Sequence, residues 1–313
     1  MRGCRRTLFG LLACLALIGP ARAEDCRLIR QWSFDFIEGP SGDMLTRQPL
    51  ATGHGYFVFD SGAVANVIFA DQADALHLQR GRGSHSIVGA AGMMTDEAVV
   101  DPYSLREYFV VPRVPGGDPR EAGALGAPLY LEHDLELDFA GRRINLYLPD
   151  HCSAATVYRA PEFTALPLRI DRFGRAFVTI VLDGVPLAAL IDTGATDTTL
   201  SFDAARRRFG LSPGSPGVEP AGTVRDVQGN ALANYRRPFK ALDIGGIRFD
   251  NPRIDISGTA WEPGTDLILG LNELRRLHLF FAFREQRLYA ARFVPATPAA
   301  KPAPPVVAQR AGK

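Results

Sequence analysis

Two short motifs of the same type stand 132 residues apart in this chain. The first is Asp60-Ser61-Gly62, and the second is Asp192-Thr193-Gly194. Two carboxyl groups held about 3 Å apart cannot both be ionised, so such a pair shares one proton. One carboxylate then acts as a general base on a bound water molecule while the other acts as an acid. Asp60 and Asp192 are therefore the candidate catalytic pair, and neither receives a fixed role, because their titrations belong to the pair.

The two motifs belong to a longer internal repeat. Residues 57–63 match residues 189–195 at an offset of 132, and residues 125–144 align without a gap to residues 269–288 at an offset of 144. A short Ala-rich helical pattern follows each motif, at residues 69–78 and 202–211. A single Asp-Ser/Thr-Gly motif is weak evidence, because common residues coincide by chance. Repetition of the order, spacing and chemistry indicates two copies of one structural unit.

The elements that must position these motifs are mostly short strands. Residues 177–182 are β-branched and aromatic, Asp183-Gly184 is a two-residue hairpin signal, and residues 185–191 form the expected return strand. Helical signals are few: Ser201 can cap a helix over residues 202–209, and residues 272–277 can form about two turns. The pattern predicts a predominantly β fold.

At residues 189–200, Ala-Leu-Ile-Asp-Thr-Gly-Ala-Thr-Asp-Thr-Thr-Leu, and residues 267–270, Leu-Ile-Leu-Gly, the chain resembles the retropepsin-like and pepsin-like aspartic peptidases. The resemblance covers nearly all of residues 50–293. It implies an all-β, two-lobed acid-protease fold in one chain. Each lobe would be a small closed β-barrel with one or two short helices, and a pseudo-twofold axis would relate the lobes.

The resemblance also implies roles for residues around the aspartates. Ser61 and Thr193 resemble the residues that lock the two catalytic loops together, and Gly62 and Gly194 permit close approach of the backbone. Two hydrophobic-Gly elements would pack behind the loops, and the family's flap over the cleft has a candidate in each lobe. The glycines of the support elements are Gly126 and Gly270, and the flap candidates are Gly89 and Gly92 in the first lobe and Gln228 and Gly229 in the second.

The two ends of the chain differ from the middle in composition. Residues 1–23 combine three early arginines, an apolar stretch of 11 residues and a small-x-small cleavage signal, which predicts a secretory signal peptide. A permanent anchor is the alternative, but it needs about 20 apolar residues. We expect an N-terminal lobe at 24–150, a linker at 151–163, a C-terminal lobe at 164–293 and a disordered Pro/Ala-rich tail at 294–313. The mature protein would be periplasmic or secreted.

Cleavage after Ala23 leaves two cysteines, Cys26 and Cys152. An even pair in an oxidising compartment predicts a disulfide between them. Two free buried thiols are the alternative, since the sequence does not show that the two Cα atoms come within bonding distance.

Composition and missing motifs exclude several classes of protein. The chain has 313 residues, 35 basic and 34 acidic, and no basic block that would indicate a nucleic-acid partner. The six histidines show no metal-ligand spacing, and no nucleophile elbow, Walker loop or dinucleotide fingerprint is present. We therefore expect no metal, no cofactor and no stable membrane span.

The resulting hypothesis is a monomeric aspartic endopeptidase that acts on peptide or protein substrates at mildly acidic pH. A non-catalytic binding scaffold that kept the fold and lost turnover is the alternative from another class, since fold does not guarantee function. A homodimer that pairs two copies of the Asp192 lobe is a further alternative.

Overall fold

The structure is a computed structural model, and it describes residues 28–50, 53–78, 80–88, 93–101, 106–113, 118–148, 153–158, 160, 162–225, 231–258 and 264–293. The predicted signal peptide, both cysteines of the predicted disulfide, all four flap candidates and the C-terminal tail lie outside these residues. The predicted domain boundaries stay a prediction.

Strands dominate the described residues. The first half contains β1 (Ile29–Glu38), β2 (Met44–Leu50), β3 (Gly53–Phe59), β4 (Val67–Phe69), β5 (Arg80–Val88), β6 (Met93–Asp101), β7 (Arg106–Val111), β8 (Glu121–Leu125), β9 (Asp134–Asp138) and β10 (Arg143–Leu148). The second half contains β11 (Thr164–Pro167), β12 (Arg169–Ile170), β13 (Ala176–Leu182), β14 (Val185–Ile191), β15 (Thr199–Ser201), β16 (Glu219–Arg225), β17 (Ala231–Pro238), β18 (Ala241–Ile244), β19 (Ile247–Asp250), β20 (Arg253–Ser257), β21 (Leu267–Leu269), β22 (Leu277–Ala282) and β23 (Arg287–Arg292).

Helices are short, as the sequence predicts. They are α1 (Ala70–Ala75), α2 (Ala154–Val157), α3 (Phe202–Phe209) and α4 (Leu271–Leu274), with one 3₁₀ turn at Ala127–Leu129. The prediction for α3 is confirmed: the Ser201 hydroxyl accepts the N–H of Ala204 at 3.0 Å, and Gly210 ends the helix in the left-handed region. The prediction of a helix over 272–277 is wrong in its bounds. α4 ends at Leu274, because the apolar run from Leu277 belongs to the buried strand β22.

The predicted hairpin between β13 and β14 is confirmed. Asp183 and Gly184 both have positive φ angles, 47° and 85°, and Leu182 pairs directly with Val185. Two-residue turns with positive φ match the twist of the flanking strands. The Asp183 side chain accepts the N–H of Ala241 at 2.8 Å and so attaches the turn to β18.

The strand order repeats between the two halves. In the first half it runs β2-β3-β8-β4-β7-β6-β5, and in the second β13-β14-β21-β15-β20-β17-β16. In each half the strand before the aspartate pairs in parallel with the strand before the hydrophobic-Gly element. The duplication predicted from the sequence is therefore present in the topology.

Strands β9 and β22 join the two halves into one sheet. Leu135 pairs with Phe281, and Leu137 pairs with Leu279, in antiparallel register. At the repeat offset of 144, Leu135 is the counterpart of Leu279 and Leu137 is the counterpart of Phe281. Leu135 thus pairs with the counterpart of Leu137, and Leu137 pairs with the counterpart of Leu135. A twofold axis between the two strands produces this pattern.

The fold is all-β and two-lobed, as predicted, but the expected closed barrels are not found among the described strands. Those strands form two open sheets. One has 13 strands and includes strands of both halves, and the other has 10 strands, all from the second half. The largest apolar cluster draws on both lobes, including Phe59, Leu135, Ile191, Leu269 and Phe281. This shared core lies beneath the two aspartate loops and fixes them relative to each other.

Candidate active site

The two aspartates lie at equivalent places in the fold. Asp60 follows β3 directly, and Asp192 follows β14. The N–H of Asp60 donates to the carbonyl of Leu125 at 2.9 Å, and the N–H of Asp192 donates to the carbonyl of Leu269 at 3.1 Å. The parallel strands behind the loops therefore hold both aspartate backbones.

Backbone donors fix the direction of each carboxyl group. Oδ1 of Asp60 accepts the N–H of Gly62 at 2.8 Å and that of Ala63 at 2.9 Å. Oδ1 of Asp192 accepts the N–H of Gly194 at 2.9 Å. Because Oδ1 of each carboxyl group accepts backbone N–H groups, Oδ2 is the oxygen that can interact with the opposite aspartate and with a substrate.

Ser61 and Thr193 connect the loops reciprocally. The N–H of Ser61 donates to Oγ1 of Thr193 at 3.0 Å, and the N–H of Thr193 donates to Oγ of Ser61 at 3.0 Å. Each hydroxyl then donates onward across the interface, Ser61 to the carbonyl of Ile191 at 2.8 Å and Thr193 to that of Phe59 at 2.5 Å. All four bonds are buried, and the structure therefore contains the interlock that the resemblance implies.

Gly62 and Gly194 lie where no other residue fits. A Cβ on Gly62 would stand 2.5 Å from the carboxyl carbon of Asp192, and a Cβ on Gly194 would stand 2.4 Å from that of Asp60. Carbon atoms do not approach this closely without displacement of one of them. Each glycine therefore makes room for the carboxyl group of the opposite lobe.

The carboxyl groups of Asp60 and Asp192 are close enough to change each other's pKa. Burial raises the pKa of Asp60 well above its ordinary value, and the adjacent Asp192 charge raises it further. Burial also raises the pKa of Asp192, although backbone donors and the Arg175 guanidinium act against it. Ionising both of two adjacent, desolvated carboxyl groups is costly, which favours a state in which the pair shares one proton.

The predicted support glycines lie behind the loops. A Cβ on Gly126 would be 2.6 Å from the carbonyl oxygens of Ala63 and Ala65, and one on Gly270 would be 2.5 Å from the carbonyl oxygen of Asp197. Both positions thus let a strand end approach the back of an aspartate loop.

Three polar side chains that hold the support glycines in place were not predicted from the sequence. Asn66 accepts the N–H of Gly126 at 3.0 Å, and Thr198 accepts that of Gly270 at 3.1 Å. Asn272 in turn accepts the hydroxyl of Thr198 at 2.6 Å. Asn66 and Thr198 are counterparts at the offset of 132, so an alignment of the two copies of the repeat could have identified both residues.

Tyr130 breaks the symmetry beneath the pair. Its hydroxyl donates to the carbonyl of Ser61 at 3.1 Å, while its ring packs on Phe59 and on Phe283 of the other lobe. Its counterpart at the offset of 144 is Leu274. Burial raises the pKa of Tyr130, and the charges of the aspartate pair raise it further, so this phenol stays protonated.

Arg175 is a second feature that the sequence did not reveal. Its side chain is only 1% exposed and forms an ion pair with Asp171 at 2.7 Å. The rings of Phe173 and Phe177 lie within 6 Å of the guanidinium. Arg175 is therefore a buried cation whose charge acts on Asp192.

Two further observations concern the described residues as a whole. Nowhere among them do three or more His, Cys, Asp or Glu side chains form a group that could hold a metal ion. None of their helices combines the length and apolar character that crossing a membrane requires.

Residues 178–276, which contain Asp192 and Gly270, match a family model described as gag-polyprotein putative aspartyl protease. The resemblance to the aspartic proteases is thereby confirmed. The match covers one copy of the repeat. The loop at Asp60, in the other copy, has the same backbone support, the same reciprocal hydroxyl bonds and an equivalent glycine. No curated protein sequence matches the chain at a significant level.

Three solved structures are similar to this chain at low identity. A retropepsin-like aspartic protease from Rickettsia conorii is 19% identical, with 41% of this chain and 91% of that chain covered and a TM-score of 0.33. The aspartic proteinase from Irpex lacteus is 14% identical, with 85% and 98% covered and a TM-score of 0.47. Basic 7S globulin from soybean is 11% identical, with 88% and 97% covered and a TM-score of 0.44. At TM-scores below 0.5, the geometry of the site is the stronger guide to function.

Proposed function

We propose that this protein is an aspartic endopeptidase that hydrolyses peptide bonds with the Asp60/Asp192 pair. The observation that carries the proposal is the adjacent, desolvated pair of carboxyl groups, held by loops that bond each other reciprocally. Keeping two carboxyl groups buried side by side costs free energy, because each is desolvated and each repels the charge of the other. Strongly perturbed acids of this kind are concentrated at catalytic sites.

In the proposed mechanism, a water molecule binds between the two carboxyl groups. The ionised carboxylate takes a proton from the water as its oxygen attacks the peptide carbonyl carbon, and the protonated carboxyl donates a hydrogen bond to the carbonyl oxygen. The tetrahedral intermediate then loses the amine, which receives a proton from the pair. The pair ends the cycle with one proton, as it began, which is the coupling for which aspartic proteases are the standard example.

A single chain supplies both halves of this site. Thr193 already has its reciprocal partner in Ser61 of the same chain. Two copies of the second lobe would have to break all four buried bonds of this interlock before they could pair with each other. We therefore propose a monomer rather than a homodimer of Asp192 lobes.

The test is digestion of a mixed peptide library by the purified mature chain from pH 3 to pH 8. Asp192→Asn and Asp60→Asn keep the size of the side chain and one acceptor oxygen, but remove an ionisable group. Both variants should lose cleavage by at least roughly 10³-fold while remaining folded, because general acid-base catalysis needs both members. Asp203→Asn is the matched control, since Asp203 is an exposed aspartate of the same lobe.

Cleavage should be fastest where the pair holds one proton. It should fall at high pH, where the pair loses that proton, and at low pH, where it gains a second. A rate that still rises above pH 9 contradicts the mechanism. Loss of activity in Asp192→Asn alone would favour the homodimer, and a folded chain that cleaves nothing at any pH would favour the binding scaffold.

We also propose that the protein acts in the periplasm or outside the cell, after removal of residues 1–23. The support is the N-terminal pattern of arginines, apolar stretch and small-x-small signal. Mass spectrometry of the protein expressed with its leader should give a mature chain that begins at Glu24. A chain that retains Met1 in the exported fraction contradicts the proposal.

A further inference from the structure

A pocket of about 540 Å³ lies in the first lobe, and neither Asp60 nor Asp192 lines it. Strands β1, β2, β7 and β10 contribute to its wall, together with the 3₁₀ turn Ala127–Leu129. Sites for small molecules in proteins occupy roughly 300–1,000 Å³. The pocket therefore has room for a ligand that is separate from the peptide at the aspartates.

Most of the pocket wall is apolar. Its apolar residues are Trp32, Phe34, Pro49, Pro128, Leu129 and Leu146. Trp32 is 45% exposed, and Pro49 and Pro128 are exposed as well. A ligand in the pocket would remove this aromatic and aliphatic surface from water, which is favourable. The wall therefore favours a ligand with an apolar body.

Arg106 brings a positive charge to this apolar wall. The residue is half-buried, and its Nη1 donates to Oε1 of the fully buried Gln48 at 2.9 Å. Gln48 is fixed in turn, because its Nε2 donates to Oγ1 of Thr46 at 3.0 Å. Within the described part of the chain, no carboxylate lies within ion-pair distance of the guanidinium. Charges in partly apolar surroundings are normally paired, and the remaining N–H groups of Arg106 can hold an anion through two parallel bonds.

The other polar residues of the wall are engaged within the protein. Oδ1 of Asn66 accepts the N–H of Gly126 at 3.0 Å, and Nε2 of His133 lies 2.6 Å from Oε1 of Gln31. Arg106 therefore provides one permanent positive charge for a ligand. A phosphate group carries about 1.5 to 2 negative charges, whereas a carboxylate carries one and matches the planar fork of a guanidinium. The pocket thus fits one carboxylate better than a phosphate.

We propose that this pocket binds a ligand with one carboxylate on an apolar body, with the carboxylate on Arg106 and the apolar body against Trp32. Two sources have this chemistry. One is a free aryl or alkyl carboxylic acid, and the other is the C-terminal residue of a peptide that ends in an apolar side chain. The inference does not depend on the proposed peptidase function, because the pocket and its cation are separate from the aspartate pair.

The experiment is isothermal titration calorimetry at pH 7 with four probes and the full purified chain. 4-Phenylbutanoate represents the free acids, and N-acetylphenylalanine represents the end of a peptide. 4-Phenylbutanamide and N-acetylphenylalanine amide are their uncharged counterparts. The variants are Arg106→Gln, which removes the charge, Arg106→Lys, which keeps it, and the control Arg206→Gln, since Arg206 is an exposed arginine of α3.

A second readout locates the bound probe. The chain has two tryptophans, Trp32 and Trp261, so in a Trp261→Phe background the emission reports on Trp32. Binding in the pocket should shift that emission. Circular dichroism checks that every variant is folded, and the comparison of acid with amide uses the unchanged protein, so it needs no variant.

At least one carboxylate should bind with a Kd of roughly 1 mM or tighter, and its amide should bind at least about tenfold more weakly. Arg106→Gln should reduce the affinity for the carboxylate to that for the amide, Arg106→Lys should retain part of the difference, and Arg206→Gln should behave as wild type. Binding of 4-phenylbutanoate alone assigns the pocket to free acids, and binding of N-acetylphenylalanine alone assigns it to peptide ends. Equal binding of acids and amides, carboxylate binding that survives in folded Arg106→Gln, or no binding of any probe overturns the inference.

Discussion

The interlock between Ser61 and Thr193 allows a quantitative test of what holds the two lobes in register. Thr193→Val keeps the shape of the side chain but removes the hydroxyl. The change leaves the N–H of Ser61 and the carbonyl of Phe59 without a partner in a buried interface, where these bonds measure 3.0 and 2.5 Å. An unsatisfied buried polar group costs roughly 1–3 kcal/mol, so the free energy of unfolding should fall by about 2–6 kcal/mol.

The assay is urea unfolding followed by tryptophan fluorescence and far-UV circular dichroism at fixed pH. Ser61→Ala should cost a similar amount, because its hydroxyl makes the symmetric pair of bonds to Ile191 and Thr193. Thr199→Val is the control: its hydroxyl makes one 3.3 Å bond at an exposed position, and the expected loss is below about 0.5 kcal/mol. If Thr193→Val proves as mild as this control, the interlock does not hold the lobes together and the reasoning is refuted.

Two further predictions concern the aspartate pair and the outer sheet. Gly194→Ala should lower peptidase activity by roughly 10²-fold or more, because the new Cβ would stand 2.4 Å from the Asp60 carboxyl carbon and must displace it; near-normal kcat/KM would show that the loops are not packed this tightly. Burial, with the charges of Asp43 and Asp118, raises the pKa of Glu121 to about 7. The contribution of protonated Glu121 to the free energy of unfolding is fully present below a pH of about 4.5, and it is lost as the pH rises through about 7. Glu121→Gln should therefore gain in urea midpoint over wild type between pH 5 and pH 8, and a constant difference between the two proteins over that range would contradict the shift.

The repeat made much of the site predictable from sequence. A duplicated motif predicts duplicated strands, and the equivalent positions of Asp60 and Asp192 follow from that. The hairpin at Asp183-Gly184 and the capped helix α3 were predictable for a different reason, because turn and cap chemistry is local.

Features that depend on distant partners were not predictable in this way. The pairing of β9 with β22 joins strands about 140 residues apart, and no local pattern encodes its register. It also places strands of both lobes in one 13-stranded sheet, which the expectation of two separate barrels did not include. The burial of Arg175 was missed for another reason: its partners Asp171, Phe173 and Phe177 are close in sequence, but a charged side chain is ordinarily expected at the surface. The helix over 272–277 was misplaced because tertiary pairing of β22 overrides the helical propensity of Leu277.

The positions where the two halves differ follow a pattern. Residues that hold the carboxyl pair are symmetric in both type and bonding, as the reciprocal bonds of Ser61 and Thr193 show. Asymmetry begins at the residues that contact these loops, where the Tyr130 hydroxyl donates to the carbonyl of Ser61 and the counterpart of Tyr130 is Leu274. A homodimer forces both half-sites to be identical, whereas a duplicated single chain leaves them free to diverge. Symmetric chemistry at the aspartates combined with unlike surroundings is the arrangement expected of an enzyme whose substrate differs on the two sides of the bond it cleaves.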